Sequence, residues 1–312
     1  MVRRTHTGIH VGFAVLVASV LFSTGCLFRT HKVPQRIVLA ASRTATLDQL
    51  VAWMDQQATK IDTLNATVDI DTSVGGAKKG KVTEYQEIRG YILLRKPHML
   101  RMIGLFPVVR NRAFDMVSDA NGFKLSIPAK NKFIVGPAEV THASSNALEN
   151  MRPQVIYDAL LIPAVDPQNE IAVLEQSAEI VKDFRKKREE ESPTYVVDVV
   201  HKGNDGWYLS RKVIFSRTDL LPDRQLIYDR EGDLVTEARY AKYEEFNGIQ
   251  FPTDIDIWRP KEEYSIGINV VKLTIDEPLK DEQFALTQPP GSQLVRLDSN
   301  GNSNTAQTTE NK

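Results

Sequence analysis

From Ala66 onward, apolar and polar side chains trade places at every second position, in run after run, with short turn-like stretches between the runs. Ala66, Val68 and Ile70 alternate with Thr67, Asp69 and Asp71, and the first run ends at "GGAKKGK". Successive side chains of a strand point to opposite faces, so this period of two marks strands with one buried face and one wet face. Further strands are expected in "VTEYQEIRGYILLRKP", "HMLRMIG" and "RAFDMVSD", with turns at "DANG" (119–122), "REGD" (230–233) and "FNGI" (246–249). Asn247-Gly248 between alternating segments is a strong hairpin signal, because both residues tolerate positive φ. Beyond it Ile249, Phe251, Thr253, Ile255 and Ile257 share one face, and Gln250, Asp254 and Asp256 the other. Strands joined by turns this short must be antiparallel.

In "SIGINVVKLTID" the alternation slips: Ile266, Ile268 and Val270 give way to Val271, Leu273 and Ile275. A slip of one position moves side chains to the other face, so a β-bulge is expected near Val270. Two helices break the succession of strands. Thr46 followed by Gln49 is a capping box, and Leu47, Leu50, Val51, Met54, Ala58 and Ile61 then recur on one helical face. In "NALENMRPQVIYDALLIP" (146–163), Met151, Val155, Ile156, Leu160 and Leu161 show helical spacing up to Pro163. The expected order is helix, about five or six strands, helix, then about five or six more. A sheet of so many strands curls, and two helices on one face of it make an α+β fold around a strongly curved antiparallel sheet or partial barrel. Its concave face is a ready apolar groove.

The N-terminus sets the compartment. Arg3 and Arg4 precede the apolar run "VGFAVLVASVLF", and Ser23, Thr24 and Gly25 end it. A positive start, a short apolar core and a small-residue exit make an export signal over residues 1–25. The rival is an uncut membrane anchor, which needs about 20 apolar residues, more than this run has. Cys26 is the only cysteine in 312 residues, so no internal disulfide can hold the fold. "STGC" resembles the lipobox of bacterial lipoproteins, with Thr24 and Gly25 matching and Ser23 standing where leucine is usual. That resemblance implies a covalent diacylglycerol and an acyl chain such as palmitate on Cys26. The other reading is an ordinary signal with a chance cysteine or a buried thiol. Residues 26–45 then form a tether, residues 46–297 the folded body, and the polar segment 298–312 a disordered tail. Basic and acidic residues nearly balance at 39 and 40, which gives no basis for nucleic-acid binding.

The body resembles the LolA/LolB-type lipoprotein carriers. The resemblance rests on "GYILLRKPHMLRM" (90–102), "FDMVSDANGFKLSIPAKN" (114–131) and "LIYDREGDLVTEARYAKYEEFNGIQFPTDIDI" (226–257) in that order. The family's gapped pattern of glycine, apolar strand, proline and leucine-arginine is met by Gly90, Leu93, Pro97, Leu100 and Arg101, and the likeness covers most of 46–295. It implies an open half-barrel covered by α-helices, with acyl chains in its cavity. A lipid-anchored member is similar to the receptor that accepts lipoproteins, from a periplasmic carrier, at the outer membrane of Gram-negative-type bacteria. Leu27, where aspartate signals inner-membrane retention, agrees with that placement, facing the periplasm. The receptor's protruding apolar loop corresponds to "IGLFPVVRN" (103–111): Gly104 and Pro107 are expected to break the strand and leave Leu105, Phe106 and Val108 at a membrane-contacting tip. Arg110 and Arg112 beside it suit lipid headgroups. The alternative is a loop folded back on the core. The chain is longer than the typical receptor, and "KDFRKKREEESP" has no counterpart there.

The sequence carries no recognisable catalytic or metal-binding constellation, and no cofactor beyond the lipid on Cys26 is expected. His98, His142 and His201 have no ligand spacing, and His201 reads as a surface residue beside a turn. Asp254 and Asp256 fall on the wet side of a strand, and Ser126 and Ser216 lack the glycine-flanked elbow of a nucleophile. Trp53, Trp207 and Trp258 read as core or groove residues. Two functions remain. One is a non-enzymatic receptor for membrane lipid or lipoprotein cargo, its groove lined by residues such as Val68, Ile70, Ile92, Met102, Phe114 and Met116. The other is a structural or adaptor lipoprotein that docks a protein partner.

Overall fold

In a computed structural model, the structure describes residues 42–119, 121–137, 153–180 and 191–297, and the backbone of 37–38, 181–183, 188–190 and 303–305. The chain divides into two units after Ile37, and every element below belongs to the second. The expectations for the export signal, Cys26, Leu27, His142, Met151 and nearly all of the tail lie outside the described residues.

Helix α1 (Leu47–Lys60) begins as its sequence dictates: Gln49 N–H donates to Thr46 Oγ1 at 3.3 Å, and Thr46 N–H donates to Gln49 Oε1 at 2.9 Å. Six strands follow: β1 (Thr63–Gly76), β2 (Lys81–Arg95), β3 (Met99–Leu105), β4 (Arg112–Ser118), β5 (Gly122–Ile127) and β6 (Lys132–Pro137). Helix α2 (Pro153–Leu160) opens on a proline, which suits a position whose N–H has no helical partner. Val155, Ile156, Leu160 and Leu161 are buried, as the helical spacing requires. Then come β7 (Glu170–Asp183), β8 (Arg188–Gly203), β9 (Gly206–Ser216), β10 (Pro222–Tyr228), β11 (Leu234–Phe246), β12 (Ile249–Arg259), β13 (Tyr264–Ile275) and β14 (Gln293–Leu297).

The strands form two antiparallel meanders, β1 to β6 and β7 to β13, fused where β13 pairs with β1. β14 pairs parallel with β6, and Ser303–Thr305 adds beside it. Among the described residues β7 pairs with neither β14 nor Ser303–Thr305, so the sheet they form is open. Asn247 and Gly248 take φ of 51° and 77°, the hairpin conformation their chemistry allows. The bulge falls as expected: the β13–β1 register shifts between Val270 and Lys272, and Val271 turns outward.

Ala66, Ile92, Met102, Met116, Leu125 and Ile134 stand in register on successive strands β1 to β6, and all are buried. Across the fusion, Tyr240, Ile255, Ile268, Ile70 and Ile88 form a second row. α1 lies against β7 and β8, and its Trp53 meets Phe215 of β9 edge-on at 5.7 Å. α2, about 12 Å long, touches β3, β4 and also β12. In a flat sheet β4 and β12 would lie about 24 Å apart, so the sheet curves around this helix. The outer face of β3 to β6 is covered by the segment between β13 and β14, whose Leu286 packs on Val117 and Phe133.

Candidate functional site

The concave face is divided along the strand direction. At one end α1 and α2 fill it with side chains. At the other, beyond the reach of both helices, a cavity of about 330 Å³ opens between β1, β2, β4, β5, β13 and the β3–β4 turn. No residue of α1 or α2 lines it, although the family resemblance implies a groove beneath the helices. Its wall is mainly apolar: Ile70, Ile88, Phe114, Leu125, Ile127 and Ile266, with Thr72, Ser73, Gln86 and Ser265 among the polar contributors. Ser73 and Ser265 hydroxyls bond to each other at 2.7 Å.

Of the six residues expected along a groove, Ile70 and Phe114 line this cavity. Val68, Ile92, Met102 and Met116 belong instead to the packed core shared with Met54, Val155 and Ile156. All six follow the alternation, but the helices seal one end of the face and leave the other open.

The β3–β4 turn borders the cavity. Phe106 N–H donates to Asn111 O at 2.9 Å and Arg110 N–H to Phe106 O at 3.0 Å, closing a tight turn. Leu105 ends β3 and is half-buried, while Phe106 is 39% exposed and Val108 93%. Phe106 and Pro107 also line the cavity, so this turn joins the interior to solvent. Gly104 does not break the strand as expected. It continues β3 opposite Phe114, and a Cβ there would lie 2.6 Å from Ile88 Cδ1 and also meet the Phe114 ring. Its missing side chain gives both cavity-wall residues their room, a role that only the three-dimensional pairing reveals.

Behind this wall, on the outer face, Asp115 accepts from Arg101 Nε at 3.0 Å, from Arg101 Nη2 at 2.8 Å and from Arg112 Nη1 at 2.9 Å. Arg101 also donates to Gln283 O at 2.7 Å, which ties the covering segment to the sheet. Arg112 is therefore committed to a carboxylate as well as near the turn.

The remaining candidates do not converge. His201 Nδ1 lies 3.7 Å from Glu170 Oε1, and Arg211 already grips Glu170 at 2.7 and 2.9 Å. Asp254 pairs with Lys242 at 2.7 Å on the outer face, and Ser216 Oγ lies 2.6 Å from Thr218 Oγ1 in a turn. Trp53 is half-buried and packs against the core, but Trp207 and Trp258 are exposed, correcting their reading as core or groove residues. Alternation beside buried Ile257 turns Trp258 outward. No group of three or more His, Cys, Asp or Glu is placed to hold a metal ion, and no helix is long and apolar enough to cross a membrane, among the described residues.

No family model and no curated protein matches the chain. Among solved structures, it is similar to a LolA superfamily protein from Nitrosomonas europaea (13% identity, 78% of this chain and 99% of that one, TM-score 0.46). It is also similar to a DUF1329 family protein from Desulfovibrio piger (18%, 76% and 94%, TM-score 0.47). A third is a putative outer membrane lipoprotein-sorting protein domain from Vibrio parahaemolyticus (11%, 75% and 95%, TM-score 0.42).

Proposed function

We propose that this chain is a lipid-anchored receptor of the outer membrane, facing the periplasm, that takes an acyl chain of a lipid or lipoprotein into its concave cavity. One observation carries the reading: Phe106 and Pro107 belong at once to the cavity wall and to the exposed β3–β4 turn. An acyl chain leaving a bilayer that holds Phe106 and Val108 meets the cavity mouth without crossing water. Burying such side chains in lipid is worth on the order of 2 kcal/mol each. The diacylglycerol on Cys26 would hold the body within reach of that bilayer, with cargo handed over by a periplasmic carrier. Binding and release require no bond chemistry, in keeping with a non-enzymatic role.

The test is mass spectrometry of residues 38–312, prepared without detergent from cells that export them. Co-purifying acyl lipid supports the reading, and a ligand-free interior sinks it. A second reading, an adaptor that docks a protein, is favoured by β7, which among the described residues pairs only with β8 and exposes Ile171 and Val173. A free strand edge is a template for an added strand. A charge placed at Val173 would then abolish partner capture while leaving lipid content unchanged.

A further inference from the structure

We propose that the ligand of this cavity is a single-chain amphiphile with an anionic head, a carboxylate or a phosphate, held at the mouth by Lys130. The inference rests on the acyl-binding reading above and adds the class of ligand. Among the described residues no acidic side chain lines the cavity, and Lys130 is the one charged side chain that does. It ends a short 3₁₀ turn, Pro128–Lys130, at the exit of β5. The turn is fixed from behind: Asn131 N–H donates to Pro128 O at 2.9 Å, and Asn131 Nδ2 donates to Gly291 O at 3.0 Å. Lys130 itself has no hydrogen bond or ion pair among the described residues. An unpaired ammonium at the rim of an apolar wall matches a molecule whose tail is apolar and whose end is negative.

The volume sets the number of chains. About 330 Å³ is near the lower end for pockets that hold one small ligand, roughly 300–1,000 Å³. A space of that size suits one chain rather than two, which separates a free fatty acid or lysophosphatidate from a diacyl lipid.

The experiment uses the full chain in phosphatidylcholine nanodiscs, with palmitic acid bearing a terminal diazirine as the photoprobe and peptide mass spectrometry as the readout. Adducts are expected on β1, β4 and β5, around Ile70, Phe114 and Ile127. Unlabelled palmitate and lysophosphatidate should compete, the stronger of the two naming the head, while monopalmitoylglycerol and dipalmitoyl phosphatidate should not. Lys130→Glu should cut labelling by about tenfold, the scale of one charge-assisted hydrogen bond, and Lys130→Arg should retain it. Labelling of Lys130→Glu at the unaltered level, or equal competition by the neutral glyceride, overturns the anionic head and leaves acyl binding standing. Equal competition by the diacyl lipid overturns the single chain. Absence of cavity adducts from any probe overturns this inference together with the reading beneath it.

Discussion

Gly104 and Phe114 face each other across β3 and β4, and the Phe114 ring occupies the space a side chain at 104 would need. The cavity wall therefore depends on a residue that contributes no atom to its lining. Gly104→Ala pushes Phe114 and Ile88 toward the cavity. It is expected to cost about 1–3 kcal/mol in urea unfolding and to weaken binding of a fluorescent fatty acid. Normal stability combined with normal binding would show that the ring moves aside freely.

Val108 offers a cleaner test of the turn, because it is exposed and is not among the residues that line the cavity. Val108→Asp should leave stability within about 0.5 kcal/mol of the unaltered protein, as exposed substitutions usually do. Sedimentation of residues 38–312 with liposomes should be lost, because a carboxylate must shed its water to enter the bilayer. Undiminished sedimentation would remove the turn from the membrane-contact account.

The strands, the Asn247-Gly248 turn, the Thr46 cap and the slip at Val270 were legible because each is written locally, in alternation or in backbone preference. The fusion of β13 with β1 was not, since nothing in the Ile70 or Ile268 segments states that they are partners. For the same reason Val68 and Ile70 read alike, two positions apart on one face. Which is sealed and which borders a cavity depends on how far α1 and α2 reach. The cover over Asp115 and Val117 was hidden too. One signal was present: "FDMV" buries Asp115, Met116 and Val117 in succession, as a strand does when both of its faces are covered.

The Asp115 cluster gives a graded prediction. The Asp115 side chain is 2% exposed, whereas that of Arg112 is 55% exposed. Asp115→Ala leaves the Arg101 guanidinium without its carboxylate partner, at a cost of about 3–5 kcal/mol. Arg112→Ala removes only a half-solvated partner and should cost under about 1 kcal/mol. Hydrogen exchange in 281–290 should speed up in the first variant and not in the second. Equal destabilisation by both would mean that Arg101 does not anchor the covering segment.

Asp158 supplies a pH dependence from the inner face of α2. Burial pushes its carboxyl up to about 6 from an ordinary 3.8, against the Gln154 amide, which donates at 2.7 Å, and the nearby Arg211 and His98. The folded state therefore holds a proton that the unfolded chain has released between those values. The contribution of this group is full below about 4 and is lost as pH rises toward 6, where the carboxylate must ionise in place. Asp158→Asn keeps an acceptor for Gln154 without the charge. It should match the unaltered protein at pH 4 and exceed it at pH 7 by on the order of 2 kcal/mol, with urea midpoints diverging between. Asp223, also raised to about 6, titrates in both proteins and cancels in the difference. Parallel midpoint curves from pH 4 to pH 7 would show that water reaches Asp158 and that α2 does not seal it.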